Sequence, residues 1–400
     1  MPRLQPESRA AQTSEQNKYW FVLGREPELS ASELDAVLCL NGQFSINQNI
    51  LIANAAVNGE LINRLGGTIK IGREIGSGLS EEQMMEKIID ELKTIGGKIH
   101  FGLSFYGPPR LPMKTWGLRI KKELTSSGLS ARYVENKTPV LSSVTVAKNN
   151  LLKRGAEFLI FGAGGKFSLA KTIAVQPFEE FSRRDYGRPA RDDVSGMLPP
   201  KLAMMMINLT GISLPLLRGG LGRGKILLDP FCGSGTILTE ALLLGYGDLV
   251  GSDVSAKAVA DTLKNIEWTA KNKKINVFQS DSADIGKHLA PNSIDAIVTE
   301  PFLGKPLRGN ESRADLAGQA EELRLLYEKA FQQFQKIIKP GGVVVFASPR
   351  FFFKNETVRV NFETKKYGFT PVPFFNKQNF LLYHRPGQRV AREIWRFVKR

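Results

Sequence analysis

The sequence predicts an α/β protein: a doubly wound parallel sheet in the C-terminal half, preceded by an α+β region. The first observation is the segment 226–236, ILLDPFCGSGT, in which a short apolar run ends in an acid and a glycine-rich turn. The second is the apolar stretch 237–244, which follows with helical spacing and completes a strand–turn–helix unit. The third is the length, since 400 residues exceed one ordinary core and favour two or three domains. The ligand site of such a sheet lies at the carboxyl ends of its strands.

The glycine turn allows the backbone to pass close to a ligand. Gly233 and Gly235 lack the Cβ atom that would block such an approach. The helix N-terminus behind them favours an anionic group, such as the carboxylate of a bound amino acid. A nucleotide-triphosphatase loop is excluded because no Lys follows Gly235, and a dinucleotide fingerprint is incomplete because Leu238 occupies its last glycine position. A tight turn without a ligand is the plain alternative.

The chain is strongly basic, with a formal net charge of +16. A basic globular enzyme most often meets a polyanion, because each neutralised phosphate releases counterions. The charge therefore favours a nucleic-acid partner, with simple solubility as the alternative.

Cysteine, histidine and hydropathy patterns narrow the class of protein further. Cys39 and Cys232 are the only cysteines, so we expect a reducing cytoplasm rather than a disulfide framework. With only three histidines, no zinc cluster is expected. No apolar run reaches the roughly 18–20 residues of a membrane span. Residues 1–18 lack an apolar core, so we expect a flexible tail rather than a secretory signal.

The N-terminal region, 19–176, alternates short strands and helices in a pattern typical of an α+β domain. Near its start, Ser30 is expected to cap a helix, with Glu33 as its capping-box partner.

Basic segments outside the glycine turn are predicted to contact RNA. Lys148 and Lys166 lie near a Gly-rich turn that could contact phosphates, although a plain hairpin is equally compatible. A linker predicted at 177–195 interleaves arginines with aromatic residues, as expected where phosphates and unstacked bases are both bound, although internal ion pairing is the alternative. Its candidate RNA-binding residues are Arg183, Arg184 and Arg188. The basic end, 385–400, is expected to be a solvated helix or a further RNA contact.

Several motifs, in order along the chain, resemble one enzyme family. The residues DPFCGSGT at 229–236 resemble the S-adenosylmethionine (SAM) loop of RNA methyltransferases. Upstream, REPELSASELDAVL, LSSVTVAKNNLL, GKFSLAKTIAVQ, RRDYGRP and GMLPPKLAMMMINL occur in the expected order. Over about residues 19–385 the chain resembles the tRNA guanosine-10 N2-methyltransferase family, which joins a THUMP RNA-binding domain to a Rossmann-like methyltransferase.

This resemblance implies a domain order and a partner. The expected segments are a flexible tail at 1–18, an α+β region with a THUMP-like RNA-binding domain at 19–176, a linker at 177–195 and a Rossmann-like methyltransferase domain at 196–400. The expected partner is tRNA, without a membrane. The need for a small activating subunit and the number of methyl groups added are left open.

The resemblance also implies SAM as the cofactor. Asp253 follows the glycine turn by about 20 residues, where a carboxylate commonly binds the ribose hydroxyls; a helix cap is the alternative. Asp281 stands where this superfamily contacts the adenine amine, with Ser282 beside it. The full predicted cofactor set is Asp229, Phe231, Gly233, Gly235, Thr236, Asp253, Asp281 and Ser282.

The predicted catalytic residues are Glu300, Pro301 and Phe302. Amino methyltransferases normally carry Asp or Asn, two prolines and an aromatic residue at this place. An exocyclic amine is a poor nucleophile, because its lone pair is delocalised into the ring. An acid oxygen and a proline carbonyl accept its hydrogens and direct the lone pair at the methyl group, while an aromatic ring stacks on the base. Here a longer acid replaces Asp, the second proline is absent, and Leu303 occupies the aromatic position.

Three explanations of this variant motif are open: a tolerated change, a different target atom or base, and a protein that binds RNA without methylating it. The intact SAM motifs favour the first. The predicted function is therefore SAM-dependent methylation of a guanosine N2 in tRNA, with no metal required. The alternatives are methylation of another RNA base or of protein glutamine, and noncatalytic RNA binding.

Overall fold

The computed structural model describes residues 17–107, 111–135, 137–191, 197–212 and 224–400. All but the last two residues of the tail predicted at 1–18 lie outside the described residues, as does the end of the linker predicted at 177–195.

The described chain divides into two compact units. The first comprises Met1–Phe21 as far as described, Phe44–Gly59 and Ile71–Ala174; the second comprises Val22–Gln43, Glu60–Lys70 and Val175–Arg400. The second unit therefore includes two segments from the region that the sequence prediction assigned to 19–176. The reason is apolar packing, since Leu29 is buried in the same core cluster as Leu202.

Helices occur in both units of the described chain. In chain order they are α1 (Pro27–Leu38), α2 (Glu81–Lys93), α3 (Met113–Ser126), α4 (Ser143–Lys148), α5 (Phe178–Tyr186), α6 (Pro200–Asn208), α7 (Thr236–Leu243), α8 (Ala256–Thr269) and α9 (Arg313–Ile337).

The first eight strands form one mixed sheet. They are β1 (Lys18–Leu23), β2 (Ser45–Asn47), β3 (Ile50–Asn54), β4 (Thr68–Leu79), β5 (Ile99–Tyr106), β6 (Ala131–Tyr133), β7 (Gly155–Ala163) and β8 (Lys166–Val175). Their spatial order is β2-β3-β1-β4-β8-β7-β5-β6. Strand β5 runs parallel to β6 and β7, and β7 pairs antiparallel with β8, as predicted for a hairpin at this place.

The second sheet is the predicted doubly wound one. Its strands are β9 (Ile226–Asp229), β10 (Asp248–Asp253), β11 (Asn276–Gln279), β12 (Ile294–Thr299), β13 (Ile338–Phe353), β14 (Glu356–Arg359), β15 (Phe369–Pro371), β16 (Phe380–Tyr383) and β17 (Val390–Lys399). The order is β11-β10-β9-β12-β13-β17-β15, with β14 beside β13 and β16 beside β17. The strands from β11 to β13 are parallel, and β17 runs antiparallel to β13.

The strand order creates a switch point between β9 and β12. The chain moves outward from β9 through β10 to β11 and then returns to place β12 on the other side of β9. Ligands of open α/β sheets bind in the crevice at the carboxyl ends of the strands beside such a point.

Alternate residues of the central strands enter two apolar cores. Leu227 belongs to one core cluster and Leu228 to the other, as expected for side chains that alternate across a sheet. Helix α6 contributes to the first cluster, whereas α9 contributes Tyr327, Phe331 and Phe334 to the second. Both faces of the sheet are thereby covered, which explains the continuous apolar character of its strands.

The predicted cap of α1 is wrong. The helix begins at Pro27, whose fixed φ angle suits a first helical position, so Ser30 lies inside the helix and donates to the Glu26 carbonyl at 2.8 Å. Glu33 is buried, and its carboxylate accepts the backbone N–H groups of Gly66 and Gly67, each at 2.8 Å. The side chain joins two segments of the second unit instead of capping its own helix.

Two other segments differ from their predicted structures. The predicted linker contains helix α5, whose acidic first turn and basic last turn suit the helix dipole. The basic end predicted as a solvated helix forms β17, which pairs with β13 from Val343 to Phe351.

Candidate active site

A cavity of about 610 Å³ lies at the carboxyl ends of β9, β10, β11 and β12. Its wall includes one acid from the end of each of these strands or from the loop that follows: Asp229, Asp253, Asp281 and Glu300. The volume lies within the roughly 300–1,000 Å³ range typical of cofactor pockets.

The glycine turn between β9 and α7 has the backbone that the sequence predicts. Gly233 has a φ of 52°, and a Cβ atom built there would meet no atom within 4 Å, so this position opens towards the cavity. Gly235 has a φ of 81° and stands directly before α7; a Cβ atom there would lie 2.9 Å from Cγ2 of Thr262. Gly233 therefore leaves room for a ligand, while Gly235 allows close packing against α8.

Asp253 is fixed by the glycine turn. Its Oδ2 accepts the Gly233 N–H at 3.0 Å, and its Oδ1 accepts the Ser255 N–H at 2.9 Å. Each oxygen retains a lone pair, and the side chain lies in the cavity wall. The helix cap itself is supplied by the Ser255 hydroxyl, which accepts the Ala258 N–H.

Asp229 is a buried acid in the cavity wall. Its Oδ1 accepts the Thr299 hydroxyl at 2.7 Å and the Phe231 N–H at 3.2 Å. Burial raises the pKa of Asp229 to about 7, since desolvation outweighs these hydrogen bonds and the nearby Asp253 and Glu300 carboxylates act in the same direction.

Asp281 and Ser282 follow β11 at the far side of the cavity. Oδ1 of Asp281 accepts the Ala283 N–H at 2.9 Å, which starts a short 3₁₀ turn. The Ser282 hydroxyl is buried and has no hydrogen-bond partner among the described residues. Both residues line the cavity.

Glu300 forms an ion pair that the sequence analysis missed. The Nε of Arg392, from β17, donates to Oε1 of Glu300, and its Nη2 lies 3.4 Å from Oε2. Both side chains are 13% exposed and line the cavity. Desolvation alone would lower the pKa of Arg392, but the adjacent Glu300 carboxylate outweighs it and raises that pKa.

The rest of the predicted catalytic motif borders the same cavity. Pro301 is buried, whereas the Phe302 side chain is 53% exposed. The Tyr327 hydroxyl donates to the Phe302 carbonyl at 2.7 Å, which anchors this loop to α9. Phe302 is thus an exposed aromatic ring in the wall of the cavity that Glu300 also lines.

Phe231 and Thr236 hold the turn and the helix after it in place. Phe231 is half-buried against the second core cluster and lines the cavity. The Thr236 hydroxyl accepts Nη1 of Arg188 at 2.6 Å.

Two of the predicted RNA-binding arginines are internal. Arg188 is buried and donates to Thr236 and to the Arg184 carbonyl, while Arg184 donates to both carboxylate oxygens of the buried Glu240. The alternative of internal ion pairing applies to both, so the structure contradicts their assignment to RNA. Arg183, on the contrary, is 58% exposed on α5, and its guanidinium lies 5.0 Å from the centre of the Trp268 ring.

The two predicted lysines lie in the first unit. Lys148 ends α4 and Lys166 begins β8, and both are exposed. The turn between β7 and β8 contains Gly164 and Gly165, both with positive φ, as a tight hairpin requires.

Val254 is another residue that the sequence analysis missed. It follows Asp253, is 65% exposed and lines the cavity. An apolar residue directly after the acid at a strand end is the sequence signal that could have identified it. Arg392 had a weaker signal, because only the assignment of 390–399 as a strand would have directed it towards the site.

Other classes of site are not found in the described residues. They contain no cluster of three or more His, Cys, Asp or Glu side chains suited to a metal ion. Within the same ranges, no helix combines the length and apolar character needed to span a bilayer. Burial raises the pKa of the Cys232 thiol well above its usual range, which argues against a nucleophilic role.

A parallel sheet of this order, with a glycine turn and successive acids at its switch point, defines the class of Rossmann-like methyltransferases. Residues 188–368 match the family model for the RMKL-like methyltransferase domain (UPF0020). Over 96% of this chain and all of the other, the fold is similar to the crystal structure of TrmN from Thermus thermophilus, with a TM-score of 0.53 and 16% identity.

Two curated relatives narrow the class to a family. The tRNA (guanine(10)-N2)-dimethyltransferase of Methanocaldococcus jannaschii is 27% identical over 349 residues, which cover 82% of this chain and 91% of that protein. A probable tRNA (guanine(10)-N2)-dimethyltransferase of Methanothermococcus thermolithotrophicus is 31% identical over 154 residues, which cover 38% of this chain and 80% of that protein. The chain belongs to the tRNA (guanine(10)-N2)-dimethyltransferase family.

Proposed function

We propose that this protein transfers a methyl group from SAM to the exocyclic N2 of a guanosine in tRNA, at a position equivalent to guanosine 10. The proposal rests on one observation: two features suited to methyl transfer lie in the same cavity. The acid-lined glycine turn suits SAM, and the Glu300 carboxylate with the exposed Phe302 ring suits an aromatic amine. Its family membership supports the choice of tRNA and guanine.

The residues at the strand ends fit SAM by chemistry. Asp253 would bind the ribose hydroxyls with the lone pairs that its two backbone contacts leave free. The free oxygen of Asp281 and the unpartnered Ser282 hydroxyl would serve the adenine, and Val254 would cover its face. The open backbone at Gly233 and the N-terminus of α7 would receive the amino-acid carboxylate.

The carboxylates also make the cavity suited to a cation. The nearby Asp253 and Glu300 carboxylates help to raise the pKa of Asp229, and Arg392 offsets the charge of Glu300, so Asp253 is a carboxylate in this wall without a cationic partner among the described residues. Bound SAM would supply an electrophilic methyl group on a positively charged sulfur.

The chain's own contribution to the reaction is to bind and orient the amine. A flipped guanine would stack on Phe302, while Glu300 and the Pro301 carbonyl accept hydrogens from its N2 and direct the nitrogen lone pair at the methyl carbon. Transfer would form a carbon–nitrogen bond and break the donor's carbon–sulfur bond, so N2 would release one proton, which Glu300 would accept. Positioning and electrostatics supply the acceleration, without a covalent enzyme intermediate.

The separate roles proposed for Asp253 in SAM binding and for Glu300 in methyl transfer are testable. An Asp253→Ala variant is expected to lose SAM affinity by about tenfold or more, since it removes a charge-assisted hydrogen-bond acceptor. A Glu300→Gln variant is expected to bind SAM within about threefold of wild type and to lose most of its methyl transfer. Equilibrium dialysis with labelled SAM, together with transfer assays on tRNA transcripts, measures both effects. Unchanged SAM affinity in Asp253→Ala would refute the assigned cofactor site.

The proposed reaction takes place in the cytoplasm. The free state of Cys39 and Cys232 is compatible with a reducing compartment.

A further inference from the structure

Arg392 brings a second charge to the catalytic carboxylate. It lies on β17, in register with Pro349 of β13 and Tyr383 of β16, so two neighbouring strands fix its backbone. Its side chain extends from β17 to Glu300, which follows β12, and both residues line the cavity. An arginine with so little exposure, held in this way, is a rigid donor rather than a flexible surface charge.

The pair has hydrogen-bonding capacity left for a ligand. A guanidinium carries more N–H groups than the two that face Glu300, and the described residues provide no other hydrogen-bond partner for the Arg392 side chain. The contact between Nη2 and Oε2 is long, at 3.4 Å, so Oε2 is the less committed oxygen of Glu300. The cavity wall therefore presents carboxylate acceptors directly beside guanidinium donors.

This arrangement matches one base. Guanine carries two adjacent donors, the N2 amine and N1–H, followed by the O6 acceptor on its Watson–Crick edge. Adenine has an acceptor at N1 and no oxygen at position 6, so it would place a lone pair against the carboxylate and leave Arg392 without a partner. A polar site built for one donor pattern rejects a base that leaves its buried groups unpaired.

We propose that Glu300 and Arg392 together read the Watson–Crick edge of the flipped guanine, with Glu300 accepting N1–H and an N2 hydrogen and Arg392 donating to O6. The proposal rests on the function proposed above and adds a specificity-determining residue to it. Arg392 has two effects: it orients Glu300, and it selects guanine over other amino-bearing bases.

The test combines base analogues with protein variants. Otherwise identical tRNA transcripts carry guanine or 6-thioguanine at the position that wild-type enzyme methylates; sulfur keeps N1–H and N2 but is a weak acceptor. Wild type is expected to lose roughly tenfold to a hundredfold in kcat/KM on the sulfur analogue. An Arg392→Gln variant is expected to lose activity on guanine and to show less than about threefold further loss on the analogue.

A matched control is an arginine of β14 that forms an ion pair with a residue of β17. Arg359 pairs with Glu393, the residue next to Arg392 on β17, and Glu393 keeps Arg350 when Arg359 is removed. Arg359→Gln therefore removes an arginine ion pair of β17 outside the cavity wall and is expected to discriminate between the two bases as wild type does. SAM affinity of each variant reports whether the unit is folded.

The outcomes separate the two proposals. If wild type discriminates against 6-thioguanine and the difference survives in Arg392→Gln, Arg392 does not read O6 and this inference fails while the proposed function stands. Equal kcat/KM values of wild type on guanine and on 6-thioguanine would also overturn the inference about Arg392. This comparison uses wild type alone, so it is valid even if Arg392→Gln does not fold. If wild type methylates no guanine N2, both proposals fail.

Discussion

At the scale of single residues, Asp229 is a carboxyl group in the site whose burial opposes its ionisation. The carboxyl is 1% exposed, and burial raises its pKa to about 7. Glu33, in the same unit, has a comparable environment. Burial raises its pKa to about 7 despite hydrogen bonds from Gly66, Asn208 and Gly67. Both acids bind a proton more tightly in the folded chain than in the unfolded one, where ordinary pKa values near 4 apply.

The sign of the resulting pH dependence follows from linkage. A group whose folded pKa is raised stabilises the fold below its unfolded pKa and loses this contribution as the pH rises through its folded pKa. We therefore expect the free energy of unfolding to fall between about pH 5 and pH 8, by up to roughly 1.4 kcal/mol per unit of pKa difference. Urea titrations of wild type and Asp229→Asn across this range measure the effect, and the variant is expected to show a shallower slope.

Burial also raises the pKa values of Glu26 and Glu240, so these acids contribute to the same fall in stability, whereas Asp295 and Glu328 do not. Partners lower the pKa values of Asp295 and Glu328, so their contributions are lost only at acidic pH, as the pH falls through those folded pKa values. A wild-type stability that rises steadily from about pH 5 to pH 8 would contradict the assignment of raised pKa values to Asp229 and Glu33.

Sequence patterns located single residues where a motif and a strand end coincide. Asp253, Asp281 and Glu300 stand at successive strand ends, so one sheet edge was predicted to collect them, and they line one cavity. Their chemical roles stay predictions. Arg184 and Arg188 were misassigned because exposure cannot be read from an interleaved charge pattern, and only the structure reveals Glu240 and Thr236 as their partners.

At the scale of elements, the sequence predicted the strands between β9 and β12 well. Each is a short apolar run bounded by turn residues. The central strands β9 and β12 are buried almost throughout, whereas the edge strand β11 is partly exposed. The end of the chain was harder to predict. In β17 the arginines at 392 and 396 contact Glu300 and the Pro373 carbonyl, so their charges do not mark a solvated surface.

Helix α1 illustrates a second limit at this scale. The Ser30 and Glu33 spacing matches a capping box, yet Glu33 binds backbone groups more than 30 residues away, at Gly66 and Gly67. A local motif cannot reveal such a contact, because the partners become neighbours only through the fold.

At the scale of the whole molecule, the net charge of +16 fits a polyanionic substrate. The exposed candidates for phosphate contact are Lys148, Lys166 and Arg183.

The proposed phosphate contact of Arg183 can be tested directly. We expect Arg183→Gln to weaken tRNA binding and to reduce the slope of log affinity against log salt concentration by about one, because one phosphate contact is lost. Arg313→Gln is the matched control, since Arg313 is also exposed and loses the same charge but lies on α9. Filter-binding titrations at several salt concentrations measure both variants. Equal slopes for Arg183→Gln and Arg313→Gln would contradict a phosphate contact by Arg183.

The measurement that tests the central claim most directly is nucleoside mass spectrometry of unmodified tRNA incubated with this chain and isotopically labelled SAM. We expect label in N2-methylated guanosine, and its loss when Glu300 is replaced by Ala. Label in a different nucleoside, or none despite measurable binding of both SAM and tRNA, would contradict methyl transfer to guanine N2 by this chain acting alone.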